Sequence, residues 1–280
     1  MRRWTALERA RLHDRAARLP FRVDGREVGS VPRRALARVS MQCPGFVVDE
    51  RAVELEVPAA QRDSALAMAN QALRAAGLIA GWRDETIPLL DPATGQALAT
   101  LERAAARFWG SLTLGAHATG WIAGADGRPA ALWIARRALS KATDPGLYDN
   151  LVGGGVPAGQ TPLSTLEREA WEEAGLPRDR WRQLSPGRTI GLERDVPEGL
   201  QREWLHSWDI ELHPEDEPRN QDGEVESFTL VPVAQALDLA AGREMTVDAS
   251  LVTLDFALRR GLLPAAEHQA LAPRLAALQA

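Results

Sequence analysis

The chain has 280 residues, 45% of them hydrophobic and 25% charged, with a net charge of −5. This is the composition of a globular protein with room for two domains or one large one. The mild acidity argues against a broad nucleic-acid-binding surface, and no apolar run reaches the roughly 18 residues needed to span a bilayer.

The arginine-rich start, "MRRWTALERARLHDRAARL", contains Glu8 and Asp14 and lacks an apolar h-region. It reads as an amphipathic helix over residues 4–19 rather than a targeting segment. With Cys43 as the single cysteine, no intrachain disulfide or cysteine-based zinc site can form, which suits a reducing, cytoplasmic setting. "FRVDGREVGSV" (Phe21–Val31) reads as a hairpin turning at Asp24-Gly25. "FVVDERAVELEV" (Phe46–Val57) is strand-like, and Ala60–Leu78 is an amphipathic helix stopped at Gly77. These elements make a small α+β unit over residues 1–106, with a substrate-recognition or packing role.

From Trp109 the pattern turns to strands. "SLTLGAHATGWIAG" and "PAALWIARR" are joined by the turn "ADGR". A glycine stretch and a helix follow, then strands over Leu200–Leu212 and Glu224–Val233. A closing helix spans Asp248–Leu263, with Asp248 as its cap and Gly261 as its stop. Strands interleaved with helices predict an α/β (α+β) sandwich with a mixed sheet over residues 107–280.

The helix over Pro162–Ala174 carries the chemistry. Thr161 is placed to cap it, Pro162 suits its first position, and Gly175 stops it. Leu163, Leu166, Ala170 and Ala174 form the stripe expected to be buried. Glu169, Glu172 and Glu173, related by i, i+3 and i+4, share a second face. Their mutual repulsion, at the end of the helix where the dipole disfavours negative charge, costs stability. The structural alternative is a solvated acidic face; a bound divalent cation reverses the sign, because Mg²⁺ takes hard oxygen ligands.

"GGVPAGQT" (Gly154–Thr161) fits the phosphate loop G-x-x-x-x-G-K-[ST] except that Gln160 stands where the lysine belongs, and that motif leaves the glutamates unexplained. The second pattern is the Nudix box, G-x5-E-x7-R-E-U-x-E-E-x-G-U, where U is aliphatic. Gly154, Arg168, Glu169, Ala170, Glu172, Glu173, Gly175 and Leu176 are in register, and only the first glutamate fails, again at Gln160. The chain resembles a Nudix hydrolase.

That resemblance implies an α/β/α sandwich around a mixed sheet, preceded here by the small α+β unit. It implies Mg²⁺, or Mn²⁺ in its place, held by Glu169, Glu172 and Glu173, with the backbone of Gly154 completing the shell. Gln160 and Arg168 correspond to a brace between loop and helix. A glutamine keeps a weaker, uncharged form of that bond. The implied chemistry is attack of water on a diphosphate phosphorus, with a general base drawn from Glu173, Glu172 and Glu224; Glu226, which alternates with Glu224, is a substitute.

"GWRDE" (Gly81–Glu85), Trp133–Gly159, "NQDGEVESF" (Asn220–Phe228) and Leu251–Leu262 together resemble one Nudix subgroup. It is the group with an extra N-terminal domain that includes the Nudix half of fungal thiamine pyrophosphokinase fusions. This implies thiamine diphosphate, or its oxo and oxy forms, as the substrate, cleaved to the monophosphate. Lys141, the sole lysine, and Arg137 then face the diphosphate; for Arg136 and Arg137 a solvated strand end is the alternative. Trp82 and Arg83 are the candidates for the organic part, because an aromatic face suits a cationic thiazolium. For any single tryptophan a buried core place is the stronger reading, and His117, a candidate pocket-lining residue, reads more readily as a satisfied sheet residue.

Two other functions remain open: hydrolysis of another organic diphosphate such as ADP-ribose, and a non-catalytic ligand-binding module in which Gln160 marks decay. No partner beyond a small molecule is implied, apart from a homodimer of the kind the family often forms.

Overall fold

The arginine-rich start forms only a short helix, α1 (Thr5–Arg9), in place of the helix expected over 4–19. Trp4, Ala6 and Ala10 are buried, but Leu12 is exposed, so the apolar stripe lapses after two turns. The backbone finds better partners elsewhere: Ala10 and Leu12 accept hydrogen bonds from the N–H groups of Glu193 and Asp195 (2.8 and 3.0 Å). The segment thus lies along a sheet edge. The computed structural model describes residues 2–280.

β1 (Arg18–Val23) and β2 (Arg26–Pro32) form the expected hairpin. Asp24 and Gly25 both take positive φ (51° and 71°), the backbone that a tight two-residue connection requires. α2 (Leu36–Gln42) follows. The strand expected over Phe46–Val57 is two strands, β3 (Phe46–Val48) and β4 (Val53–Leu55). They are separated by a turn in which Asp49 accepts from the N–H groups of Arg51 and Ala52, each at 2.7 Å. The sheet runs β2-β1-β4-β3, with β1 and β4 parallel. α3 (Arg62–Ala75) packs on it, and Gly77 follows at φ 72°. A hairpin of β5 (Thr86–Leu90) and β6 (Ala97–Glu102) and the short α4 (Ala106–Trp109) complete this half. Its core is an aromatic stack, with Trp109 4.8 Å from Phe21 and 5.0 Å from Phe46 between ring centroids. The buried Trp109 indole donates to Oδ1 of Asn70 at 2.7 Å, which satisfies the ring N–H.

The second half begins with β7 (Leu112–Ala123) and β8 (Pro129–Arg137), joined by the expected turn. β9 (Tyr148–Asp149), β10 (Val152–Gly155), α5 (Pro162–Ala174), β11 (Ser185–Val196), β12 (Gly199–Glu211) and β13 (Val225–Pro232) follow. α6 (Val233–Ala241), α7 (Val247–Arg259) and α8 (Ala265–Ala276) close the chain. The sheet is mixed: β11-β12-β7-β8-β13, with β12 parallel to β7, β10 paired to β7 and β9 paired to β8. The cap of α7 is Thr246, which accepts from the N–H of Ala249, rather than Asp248.

The two faces of this sheet bury separate cores. α6, α7 and α8 cover Trp121, Leu132, Ile190 and Leu205 on one face. α5 covers Ala116, Ala118, Val152 and Ile210 on the other through Leu166, Ala170 and Ala174. This is the expected α/β/α sandwich. Leu166 is fully buried, and truncating it to alanine costs roughly 2–5 kcal/mol. Leu163, assigned to the same stripe, is 44% exposed; as the second residue of α5 it lies beyond the edge of the sheet contact.

Candidate active site

α5 begins as its sequence dictates. The Thr161 hydroxyl accepts from the N–H of Ser164, and the Ser164 hydroxyl accepts from the N–H of Thr161. Such a reciprocal cap is worth about 1 kcal/mol. Gly175 ends the helix at φ 63°. With both ends fixed, Glu169 and Glu173 turn inward with the apolar stripe and are buried, while Glu172 is half-buried.

The strand that leads to this helix ends in Gly153, Gly154 and Gly155, and each glycine makes room for a different group. A Cβ on Gly153 would stand 2.6 Å from Nδ1 of His117. On Gly154 it would stand 2.6 Å from Oε1 of Glu169, and on Gly155 2.6 Å from Nη2 of Arg103. Side chains at these positions would displace a strand residue, a helix carboxylate and a guanidinium from the first half of the chain.

These groups line one cavity of about 550 Å³ between the two halves. It brings together Glu169, Glu172, Glu173, Gly154, Arg168, Lys141, Arg137, Arg83 and Glu224, all marked in the sequence. Burial, followed by the nearby Glu169 charge, pushes the Glu173 carboxyl up to about 8; Lys141 and the N–H of Gly153, 3.2 Å from Oε2, pull the other way. Burial also raises Glu169, opposed first by Arg168. Burial lowers the Lys141 ammonium, opposed by Glu173. In all three groups burial, first among the causes, disfavours the charged form.

Several groups are already partnered. Arg137 donates to Asp149 at 2.9 Å and to the carbonyl of Thr143, so its fork is committed to the protein. Lys141 pairs with Glu224, whereas Glu226 lies outside the cavity lining and pairs with Arg136 at 3.5 Å. Arg168 donates to Glu169 at 2.8 Å and also binds Glu172. Its bond to Gln160 is long at 3.5 Å, and Gln160 accepts a shorter one, 3.0 Å, from the Thr165 hydroxyl. The expected brace is thus shared between Arg168 and Thr165.

Two expected site residues are elsewhere. Gln160 does not line the cavity. Trp82 lies on the core of the first half, its indole donating to Asp84 at 2.7 Å and the Arg74 guanidinium 4.6 Å above its ring. Among the described lining residues none is tryptophan, tyrosine or phenylalanine. His117 is buried yet reaches the cavity wall, 3.3 Å from Asn150. Glu85, the last residue of "GWRDE", lines the cavity too, and sequence reasoning missed Arg103, Arg107 and Glu203, which also line it. No local pattern marks them: docking of the two halves brings Arg103 and Arg107 there, and the pairing of β12 with β7 brings Glu203.

Among the described residues, no three carboxylate, imidazole or thiol side chains converge on one ion position; Arg168 draws Glu169 and Glu172 to itself. The donor set nevertheless fits Mg²⁺ in kind: hard carboxylate oxygens, two of them on carboxyls raised by burial, whose charged form a cation would favour.

The sequence profile of the NUDIX domain matches residues 113–250, and that of a domain of unknown function, DUF4743, matches residues 2–112. The chain is a Nudix-domain protein. It is 39% identical over 189 residues to the Arabidopsis thaliana protein Nudix hydrolase 20, chloroplastic, covering 67% of this chain and 50% of that one. It is 36% identical over 207 residues to Nudix hydrolase 24, chloroplastic, of the same plant, covering 72% and 55%. An uncharacterized Saccharomyces cerevisiae protein, YJR142W, is 25% identical over 263 residues, covering 86% and 76%. This Nudix-domain chain spans about half the length of its two plant relatives. Both plant relatives are chloroplastic by name, which overturns the cytoplasmic assignment: a lone cysteine does not distinguish the cytoplasm from another reducing compartment. Among the described residues no helix is long and apolar enough to cross a membrane.

Proposed function

We propose that this protein hydrolyses an organic diphosphate with Mg²⁺, Mn²⁺ being able to replace it. One observation carries the reading: the carboxylates of α5 share a cavity with Arg83, Arg103, Arg137 and Lys141, anion-binding and cation-binding groups side by side. Glu169, Glu172 and Glu173 would hold the ion, with Gly154 allowing close approach of the backbone. When bound, the ion neutralises phosphate oxygens and makes water a better nucleophile.

The remaining work is positioning and charge neutralisation. Lys141 and Arg83 face the phosphates. Arg137, fixed by Asp149, contributes its field and holds the wall. Glu224, oriented by Lys141, takes the proton of the attacking water; Glu173 is the other carboxyl tuned for proton transfer. Gln160 acts at a distance, through the helix start and Arg168.

Of the two substrate readings, a nucleoside diphosphate derivative of the ADP-ribose kind stands first. The cavity is large enough for a nucleotide-sized ligand, its lining carries charged and hydrogen-bonding groups that suit a ribose and two phosphates, and among the described lining residues no tryptophan, tyrosine or phenylalanine offers its face to a cationic thiazolium. Thiamine diphosphate and its oxo and oxy forms, implied by the wider sequence resemblance, stand second. The test is a substrate panel with Mg²⁺ and product identification. Faster turnover of ADP-ribose is expected; faster turnover of the thiamine compounds reverses the order. Tight binding with no phosphate release, unchanged in Gln160→Glu, would make the chain a binding module.

A further inference from the structure

Arg103 belongs to the first half of the chain yet stands at the glycine loop of the second. Its Nη1 donates to both oxygens of Glu85, at 3.1 and 2.8 Å, and its backbone N–H donates to the Glu85 carbonyl at 2.8 Å. Both side-chain bonds leave from Nη1, while Nη2, Cζ and Nε lie against Gly155, at 2.6, 2.9 and 3.2 Å from where a Cβ there would stand. The guanidinium is therefore held between Glu85 and Gly155 at the cavity wall, which all three residues line, and Nη2 carries no bond to Glu85. Its charge is felt at Glu169, whose carboxyl it pulls down.

The docking that brings it there is also specific. The N–H of Ala158, in the loop between β10 and α5, donates to the carbonyl of Thr86 on β5 at 2.9 Å, so the loop is tied to the strand that follows Glu85. A preorganised guanidinium beside a carboxylate cluster that takes a cation suits recognition of a phosphate oxygen.

We infer that Arg103, oriented by Glu85, contacts the diphosphate of the substrate, so that the DUF4743 half supplies part of the binding site; this rests on the hydrolase reading above. Arg103 is a substrate-binding residue and Glu85 a positioning residue. A charge-assisted contact of this kind corresponds to about ten- to a hundredfold in affinity.

The experiment uses the full chain with Arg103→Met, Arg103→Lys and the double variant Arg103→Met/Glu85→Gln, which leaves no orphaned carboxylate. ADP-ribose kinetics give KM and kcat separately, calorimetry gives the affinity for inorganic pyrophosphate with Mg²⁺, and thermal melts check the fold. The expected result is a KM for Arg103→Met and the double variant raised about tenfold or more, kcat changed far less, pyrophosphate bound correspondingly more weakly, and partial recovery in Arg103→Lys. Unchanged KM and pyrophosphate affinity in a folded double variant overturn the inference alone. A wild-type chain that binds pyrophosphate through Arg103 but turns over no diphosphate overturns the hydrolase reading and leaves the inference standing.

Discussion

The Glu169 carboxylate fills the space that a side chain on Gly154 would need: a Cβ there would stand 2.6 Å from Oε1. The glycine is thus the other half of the carboxylate's position. Gly154→Ala is expected to drive Glu169 out of place, raising the Mg²⁺ concentration for half-maximal activity and lowering kcat/KM about tenfold or more. Mg²⁺ titration of the rate, with a melt to confirm folding, checks it.

Glu172→Gln and Glu173→Gln each keep the side-chain shape and remove a charge. Activity is expected to fall by about a hundredfold or more; Glu173→Gln should lose no thermal stability, since burial and the Glu169 charge both oppose ionisation of Glu173, and Glu172→Gln about 1 kcal/mol or less, from its part-exposed pair with Arg168. Near-normal turnover in either variant would remove these carboxylates from the site.

Gln160→Glu offers Arg168 a charged acceptor in place of an amide. The 3.5 Å contact is expected to tighten, drawing Arg168 from Glu169 and Glu172. Thermal stability should rise slightly and kcat/KM change by no more than about threefold, because a part-exposed pair contributes about 1 kcal/mol or less. A melt and a steady-state assay measure both.

Glu203 gives a pH test away from the carboxylates of α5. Burial first, and then Asp248, raise its carboxyl above the ordinary 4.5, against a hydrogen bond from Gln201 and the charge of Arg107. A raised carboxyl binds its proton more tightly in the folded state. Its contribution to stability is therefore full below about 4.5 and is lost as pH rises through the folded-state value. Melting temperatures above pH 4.5 should decline less steeply in Glu203→Gln than in the wild type; identical slopes would refute the assignment.

The helix of the site was legible because its signals are local: Thr161, Pro162 and Gly175 fix its ends, and the spacing of Glu169, Glu172 and Glu173 fixes one face. The hairpin at Asp24-Gly25 was legible for the same reason. The start of the chain was not, because the backbone of Ala10 and Leu12 is claimed by β11, a partner far away in sequence. Trp82 illustrates the opposite error. Its residue type suited a ligand, but Arg74 and Asp84 satisfy it on the core of the first half. Arg103 carries no local mark, since its place depends on how the DUF4743 half meets the Nudix domain, and Glu203 carries none because the pairing of β12 with β7 places it.

The three glycines of β10 have a further consequence. Gly153 is fitted to a residue of the sheet, Gly154 to a residue of α5, and Gly155 to a residue of the other half. The halves are therefore not interchangeable parts. A chimera that joins this Nudix domain to the first half of a relative inherits a gap or a collision at Gly155 unless the arginine and its carboxylate travel together.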